Sequence, residues 1–302
     1  MITSLFCYNS PMPKDDLIIT PTTDLFIASL WSAPKNEPIL RSLLNAVMTD
    51  IGQPTIVKAT VLNPFNIQEY PTDKEIRLDV LVEDELKTRY NIEVQAKSHK
   101  SFFDRMLYYW AETYGLLLER GDNYRKLRPV HSIVITEFPV FPELKELHTI
   151  FEIRARENPA VLLSKHFQMH VLRLGDWMRN NQSGLESLCV ELQKWMVFWG
   201  FGFKTEAKKM SAMLQDAPEV LSAYEEYRQF SADPTMRAKA RARKRFLDEQ
   251  AIIMNDMREE GFAEGEAKKA RETAQNLKRL GVPVATIAEA TGLSLSEIER
   301  LD

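Results

Sequence analysis

The feature that most constrains the fold is a pair of short stretches between Arg77 and Lys97, in RLDVLVEDELKTRYNIEVQAK. Apolar and polar residues alternate in both, which is the pattern of a half-buried β-strand, and the polar residues between them are typical of a turn. The segment therefore predicts a β-hairpin. Each predicted strand carries an acid among apolar neighbours, Asp79 in the first and Glu93 in the second. Strands favour β-branched and aromatic residues, so the two acids require an explanation.

A turn centred on Leu86 places Asp79 directly opposite Glu93. Opposed residues of an antiparallel pair have Cβ atoms about 4.5–5.5 Å apart. Like charges at this distance repel each other unless a cation lies between them. Mg²⁺ commonly binds through one or two protein carboxylates together with substrate phosphate and water. The pattern therefore fits a metal site, and it also fits two polar residues on the solvent face of an ordinary hairpin.

The strand period of two residues divides the second strand into two faces. One face is predicted to point toward a core, and the other carries polar groups beside the acid. The polar face holds Glu93, Gln95 and Lys97, and the apolar face holds Ile92, Val94 and Ala96.

Composition restricts the class of protein. The chain has 302 residues and a formal net charge of -4, so a nucleic-acid site must be a local basic patch. Cys7 and Cys189 have no metal-type spacing, which fits a reducing compartment. We predict no signal peptide at the N-terminus, and the most apolar run, WMVFWGFGF, is too short to span a bilayer. We therefore expect a cytoplasmic protein with no membrane segment.

The order of predicted elements indicates a mixed α/β fold. Two helices precede three strands, and a long helix follows in SFFDRMLYYWAETYGLLLERG, with Gly121 as its predicted end. Further strands are predicted in PVHSIVITEF, LHTIFEIRA and FQMHVLRL, and the chain from about Ser183 onward is mostly helical. The predicted organisation is an N-terminal arm (1–20), an α/β domain (21–180), a helical extension (181–235) and a charged helical tail (236–302).

Several segments resemble one protein family in order and spacing. DLFIASLW and ILRSLLNAVM are followed by RLDVLV, YNIEVQAK, DRMLYYWAETY and GDNYRKLRPVHSIVI, between Thr23 and Phe138. The series resembles the recombination-promoting nuclease and transposase family of the PD-(D/E)XK nuclease superfamily. The tail segment EGFAEGEAKKARE is also similar to tails in that family.

The resemblance implies a restriction-endonuclease-like mixed β-sheet flanked by helices, with a helical C-terminal extension. It implies that Asp79 and Glu93 hold Mg²⁺, with Mn²⁺ as the alternative ion. Gln95 stands where the superfamily usually has Lys, and Lys97 is the candidate for the missing positive charge. A third acid often comes from the first helix, which makes Asp24 the candidate third metal ligand.

The long predicted helix carries an arginine and several aromatic residues, and the sequence leaves two roles open for each. Arg105 is placed to bind a phosphate with its guanidinium group, or to form an ion pair with Asp104 or Glu93. The aromatic residues of this helix fit packing on the sheet or contact with nucleic-acid bases. They are Tyr108, Tyr109 and Trp110.

The tail has two notable segments. RAKARARKRF contains six basic residues, among them Arg237, Lys239 and Arg241. They fit a phosphate-binding stripe or a solvated helix face balanced by later acids. IAEATGLSLSEIERL resembles a helix-turn-helix, but its second helix is acidic. The segment therefore fits a packing or oligomerisation module as well as a DNA reader.

Together these features favour a metal-dependent DNA endonuclease of bacterial type, in DNA recombination, mobile-element processing or defence. DNA is the expected partner, and a homo-oligomer through the helical tail is a further hypothesis. The alternative is a catalytically inactive nuclease fold that serves as a DNA-binding or protein-interaction module.

Overall fold

The structure of the chain is a computed structural model, which describes residues 17–63, 80–98, 100–180 and 183–301. Asp79, one of the two acids of the predicted hairpin, lies outside the described residues. The chain forms two compact units, Met1–Ala240 and Arg241–Asp302.

A mixed β-sheet forms the centre of the first unit. Within the described residues it has the strands β1 (Ala59–Val61), β2 (Val80–Asp84), β3 (Arg89–Gln95), β4 (Val130–Thr136), β5 (His148–Phe151) and β6 (Phe167–Leu172). Their order in the sheet is β1-β2-β3-β4-β6-β5. The pairs β3–β4 and β4–β6 are parallel, and the other pairs are antiparallel.

The hairpin forms in the predicted register. Val80 pairs with Ile92, and the pairing continues to Glu83 with Arg89. Asp84 Oδ1 accepts hydrogen bonds from the backbone nitrogens of Leu86 and Thr88, both at 2.8 Å, and so shapes the turn. The turn is therefore centred on Leu86, as the pattern predicted.

Helices cover both faces of this sheet. The helices of the first unit are α1 (Asp24–Ser32), α2 (Glu37–Asp50), α3 (Phe102–Gly115), α4 (Leu174–Arg179), α5 (Val190–Phe201), α6 (Ala207–Leu214) and α7 (Pro218–Ala232). Helices α1, α2, α5 and α7 supply a large core against the sheet face that holds Ile92. Helix α3 covers the opposite face, where Phe102 and Met106 pack against Val134. The predicted fold class, a mixed sheet flanked by helices with a helical C-terminal extension, is confirmed.

Helix α3 ends six residues before its predicted end at Gly121. It stops at Gly115, which has the lowest helix propensity of any residue except proline. Leu116 beyond it is 75% exposed, so this leucine buries too little apolar surface to extend the helix.

Contacts between the two ends of the first unit close its large core. The Tyr227 hydroxyl on α7 donates a 2.7 Å hydrogen bond to the Ile19 carbonyl. The rings of Phe26 on α1 and Tyr227 meet edge to face, with centroids 5.4 Å apart. The segment that enters α1 is thus held by a helix more than two hundred residues later in the chain.

A polar cluster lies within this core. His148 Nδ1 lies 2.7 Å from Asp50 Oδ2, and His148 Nε2 lies 3.0 Å from His170 Nδ1. The ring of His131 on β4 follows, with its centroid 6.0 Å from that of His170. Burial lowers the pKa of His131 to about 4. Burial, together with the neighbouring His148 and His131, holds the pKa of His170 well below its usual range.

The second unit is helical. Helix α8 (Pro234–Arg279) starts before it and is followed by α9 (Val284–Thr291) and α10 (Leu295–Glu299). Ala274, Ile287 and Ile298 form its small buried core. Ser294 and Glu297 form a capping box at the start of α10. No helix in the described ranges is long and apolar enough to cross a membrane.

Candidate active site

Glu93 and Gln95 lie at alternate positions on β3 and point to the α3 side of the sheet. Glu93 pairs laterally with Val134 and Gln95 with Thr136, both on the parallel strand β4. Val134 belongs to the core beneath α3, whereas Ile92 belongs to the core on the other face. The predicted polar face of the hairpin is therefore confirmed for Glu93 and Gln95.

Arg105 of α3 reaches both of these side chains. Its Nη2 donates to Glu93 Oε1 at 2.9 Å and to Gln95 Oε1 at 3.1 Å. The guanidinium carbon lies 5.7 Å from the ring centre of Phe102 and 5.8 Å from that of Tyr109. Aromatic faces at this distance attract a cation and position it. Of the two interpretations of Arg105, the structure shows the ion pair with Glu93, and phosphate binding stays a prediction.

Burial makes the ion pair between Glu93 and Arg105 important for keeping Glu93 ionised. Glu93 is only 8% exposed, and the Arg105 side chain is 34% exposed. A carboxylate removed from water requires a positive charge or several hydrogen bonds to stay ionised. Arg105, whose own side chain is partly exposed, supplies this positive charge to the buried Glu93.

Two oxygen atoms thus converge on a single cationic nitrogen. Carboxylate and amide oxygens are the ligands that hard divalent cations take in proteins. The donor set around Arg105 Nη2 is therefore of the kind that fits a divalent cation. Among the described side chains, no group of three His, Cys, Asp or Glu residues could hold a metal ion. A complete ligand set here requires a further donor, such as Asp79, which is outside the described ranges.

The end of β3 also fixes the amide of Gln95. Gln95 Nε2 donates a 3.1 Å hydrogen bond to the Lys97 carbonyl. The Lys97 side chain is exposed beyond the strand. Gln95 is therefore bonded on both sides of its amide, between Arg105 and the main chain of Lys97.

Asp24, the predicted third acid, is the first residue of α1 and is half-buried. Its Oδ1 accepts a 2.8 Å hydrogen bond from the Leu25 backbone nitrogen. This places Asp24 at a helix N-terminus, where a negative charge is favourable. Its role as a metal ligand stays a prediction.

Sequence reasoning missed one acid whose main chain adjoins the candidate site. Glu137 follows β4 directly, and its backbone nitrogen donates to the Gln95 carbonyl at 3.0 Å. Burial raises the pKa of Glu137, and a hydrogen bond with the Thr22 side chain acts in the opposite direction. Thr136 pairs with Gln95 on the α3 side, so Glu137 is directed to the other face, toward the entry of α1. An acid directly after an apolar strand was the available signal.

The aromatic residues of α3 differ in their surroundings, which bears on whether they pack on the sheet or are available to contact nucleic-acid bases. Trp110 packs against Phe167, and its Nε1 donates to the Val130 carbonyl at 2.8 Å. Tyr109 is half-buried beside Arg105, whereas Tyr108 is 62% exposed. Packing on the sheet is therefore confirmed for Trp110, and Tyr108 remains at the surface.

The basic stripe of α8 begins with an anchored arginine. Arg237 Nη1 donates to the Ser231 carbonyl at 3.1 Å, and Nη2 lies 3.5 Å from the Leu17 carbonyl. Arg237 thus binds main-chain oxygens of the first unit. Lys239 is half-buried and Arg241 is exposed. Contact of these three residues with DNA stays a prediction.

Comparison with protein-family models gave a match, which agrees with the mixed sheet flanked by helices. The family model described as PD-(D/E)XK nuclease family transposase matches residues 21–256. Comparisons with curated proteins and with solved structures gave no significant match. The matched region covers well over half of the chain and includes the whole β-sheet. The chain therefore belongs to the PD-(D/E)XK nuclease family transposases.

Proposed function

We propose that the chain is a metal-dependent DNA endonuclease that hydrolyses phosphodiester bonds with Mg²⁺ or Mn²⁺. Family membership suggests nuclease-like activity. The observation that carries the metal-dependent form is the convergence of Glu93 Oε1 and Gln95 Oε1 on the Arg105 guanidinium at the end of β3. Two oxygens directed at one cationic atom provide a partial cation site.

The two hairpin acids are the proposed metal ligands. Val80 pairs with Ile92. In the sequence, Asp79 directly precedes Val80 and Glu93 directly follows Ile92. Asp24 is the candidate third ligand. When bound, the ion supplies Lewis-acid stabilisation of the phosphate and activation of water.

The neighbouring polar residues would position the substrate. Gln95 carries no charge, and its bonds to Arg105 and to the Lys97 carbonyl restrict its amide to one orientation. Lys97 is exposed at the strand end and would supply a positive charge to the phosphate. Arg237, Lys239 and Arg241 on α8 are further proposed phosphate contacts. We propose a cytoplasmic setting in recombination, mobile-element processing or defence.

One observation favours a second candidate function. Gln95 replaces the usual lysine of the superfamily, and the Arg105 charge already neutralises Glu93 within the protein. A chain with this arrangement could bind DNA without cleaving it. The second candidate is therefore a DNA-binding or protein-interaction module on a nuclease fold.

Nicking of supercoiled plasmid distinguishes the two candidates. The assay compares wild type, Asp79→Ala and Glu93→Ala with Mg²⁺, with Mn²⁺ and with a chelator. Glu112→Ala is the matched control, because Glu112 is an exposed acid on α3. Metal-dependent nicking that is lost in both hairpin variants and kept in the control supports the endonuclease. Equal nicking by all forms, or none by wild type, contradicts it.

A further inference from the structure

Arg105 occupies the point where the candidate cation ligands meet. One nitrogen, Nη2, binds both Glu93 Oε1 and Gln95 Oε1. Among the described residues no hydrogen-bond partner reaches the buried Nε of Arg105. The guanidinium therefore has donor capacity that its present contacts do not use.

A divalent cation cannot take the place of Nη2 between these two oxygens while Arg105 keeps its position. Mg²⁺ lies about 2.0–2.1 Å from its oxygen ligands, whereas Nη2 lies 2.9 Å from Glu93 Oε1. An ion between the same oxygens would lie in contact with the guanidinium, and the two positive charges would repel each other. Cation binding at this point thus requires Arg105 to move.

The surroundings of Arg105 allow such a movement. Its side chain is 34% exposed and lies beside the rings of Phe102 and Tyr109, with the guanidinium carbon 5.7 and 5.8 Å from the ring centres. A released guanidinium presents a planar set of donors that matches the oxygens of a phosphate. The exposed side of the site, beside Lys97, is where a DNA backbone would approach.

We propose that Arg105 is an exchangeable group that couples cation binding to DNA binding. It binds Glu93 and Gln95 in the cation-free protein, and the arriving cation displaces it toward a phosphate of the bound DNA. This inference rests on the proposed function of the site. By linkage, each ligand then raises the affinity for the other by the same factor. We expect a factor of about ten, which equals about 1.4 kcal/mol.

A permanent structural ion pair predicts the opposite behaviour. An arginine that only orients Glu93 would favour metal binding, so its removal would weaken the affinity for the ion. An exchangeable arginine competes with the ion, so its removal strengthens that affinity. The sign of the change therefore separates the two roles.

Two binding measurements test the proposal without requiring cleavage. Calorimetric titration with Mn²⁺ compares wild type, Arg105→Ala and Arg105→Gln in the absence of DNA. Fluorescence anisotropy measures the Kd for a short labelled duplex with and without Ca²⁺. Arg41→Ala is the matched control, because Arg41 forms an ion pair with Glu37 at similar exposure on α2. Circular dichroism selects the variants that are folded, and Arg105→Gln retains hydrogen-bond donors if Arg105→Ala is unstable.

We expect Mn²⁺ to bind both Arg105 variants about tenfold more tightly than wild type or Arg41→Ala. We also expect Ca²⁺ to lower the DNA Kd of wild type about tenfold and that of the Arg105 variants less than threefold. Equal or weaker Mn²⁺ binding by the variants overturns the proposal, as does an unchanged effect of Ca²⁺ on DNA binding. Coupling without plasmid nicking would support the exchange and refute only the endonuclease, because neither binding measurement depends on cleavage.

Discussion

The buried histidines of the first unit should make its stability fall between pH 6.5 and pH 5.0. His131 has a pKa of about 4 in the folded chain because of burial, against about 6.5 in the unfolded chain. Below pH 6.5 the unfolded chain therefore binds a proton that the folded chain does not. A folded pKa below the unfolded one means that the unfolding free energy decreases as the pH falls. The loss is about 1.4 kcal/mol per pH unit for each such group.

Between pH 6.5 and pH 5.0 this reasoning predicts a loss of about 1–2 kcal/mol from His131. His170 is fully buried, and burial lowers its pKa too, so it should add to the loss in the same direction. His131→Phe keeps a ring that can pack on Tyr90 but does not titrate. The variant should therefore lose about 1–2 kcal/mol less than wild type over this interval.

Urea denaturation followed by tryptophan fluorescence provides the assay. All five tryptophans lie in the first unit, so the signal reports the unit that contains the histidines. Ile133→Val on the same strand is the control, because it removes buried volume without changing a titratable group. Its curve against pH should run parallel to the wild-type curve. Equal losses in wild type and His131→Phe would refute the reasoning, because the carboxylates are the same in both chains.

Three further predictions concern other parts of the chain. Gly175→Ala should lower the stability by about 2–3 kcal/mol in urea denaturation, because its Cβ would lie 2.3 Å from the Glu137 carbonyl; an unchanged midpoint would contradict this packing. Ser294→Ala should remove the capping box with Glu297 and cost about 1 kcal/mol, seen as faster amide exchange in α10 but not in the first unit. Arg105→Ala should lower the unfolding free energy by about 1–2 kcal/mol without metal, less than the loss of a fully buried pair, because its side chain is partly exposed; thermal melting checks this, and a more stable variant would contradict it.

The hairpin shows why part of the candidate site could be predicted from the sequence. A strand period of two residues and a short turn are local properties, so the facing of Glu93 and Gln95 and the register beside Ile92 followed from nearby residues alone. These features need no information about the rest of the fold.

The contacts of Arg105 and Glu137 depend on distant packing. The rotation of α3 about its axis, which directs Arg105 to Glu93, is set by Phe102 and Met106 against residues of β4 and β6. Glu137 approaches Gln95 only because β4 lies parallel to β3 after the α3 crossover. No local pattern encodes either contact, which is why the sequence left the partner of Arg105 open and did not identify Glu137.

The bond between Tyr227 and Ile19 has a consequence for synthesis of the chain on the ribosome. The two residues are separated by 208 positions, and translation proceeds at about 5–20 residues per second. The apolar surface of α1 that packs on α7 is therefore synthesised about 10–40 s before α7. Helix α3, by contrast, packs on β4 and β6, which are synthesised well before α7. We expect nascent chains that end before α7 to expose Phe26 and to associate with chaperones.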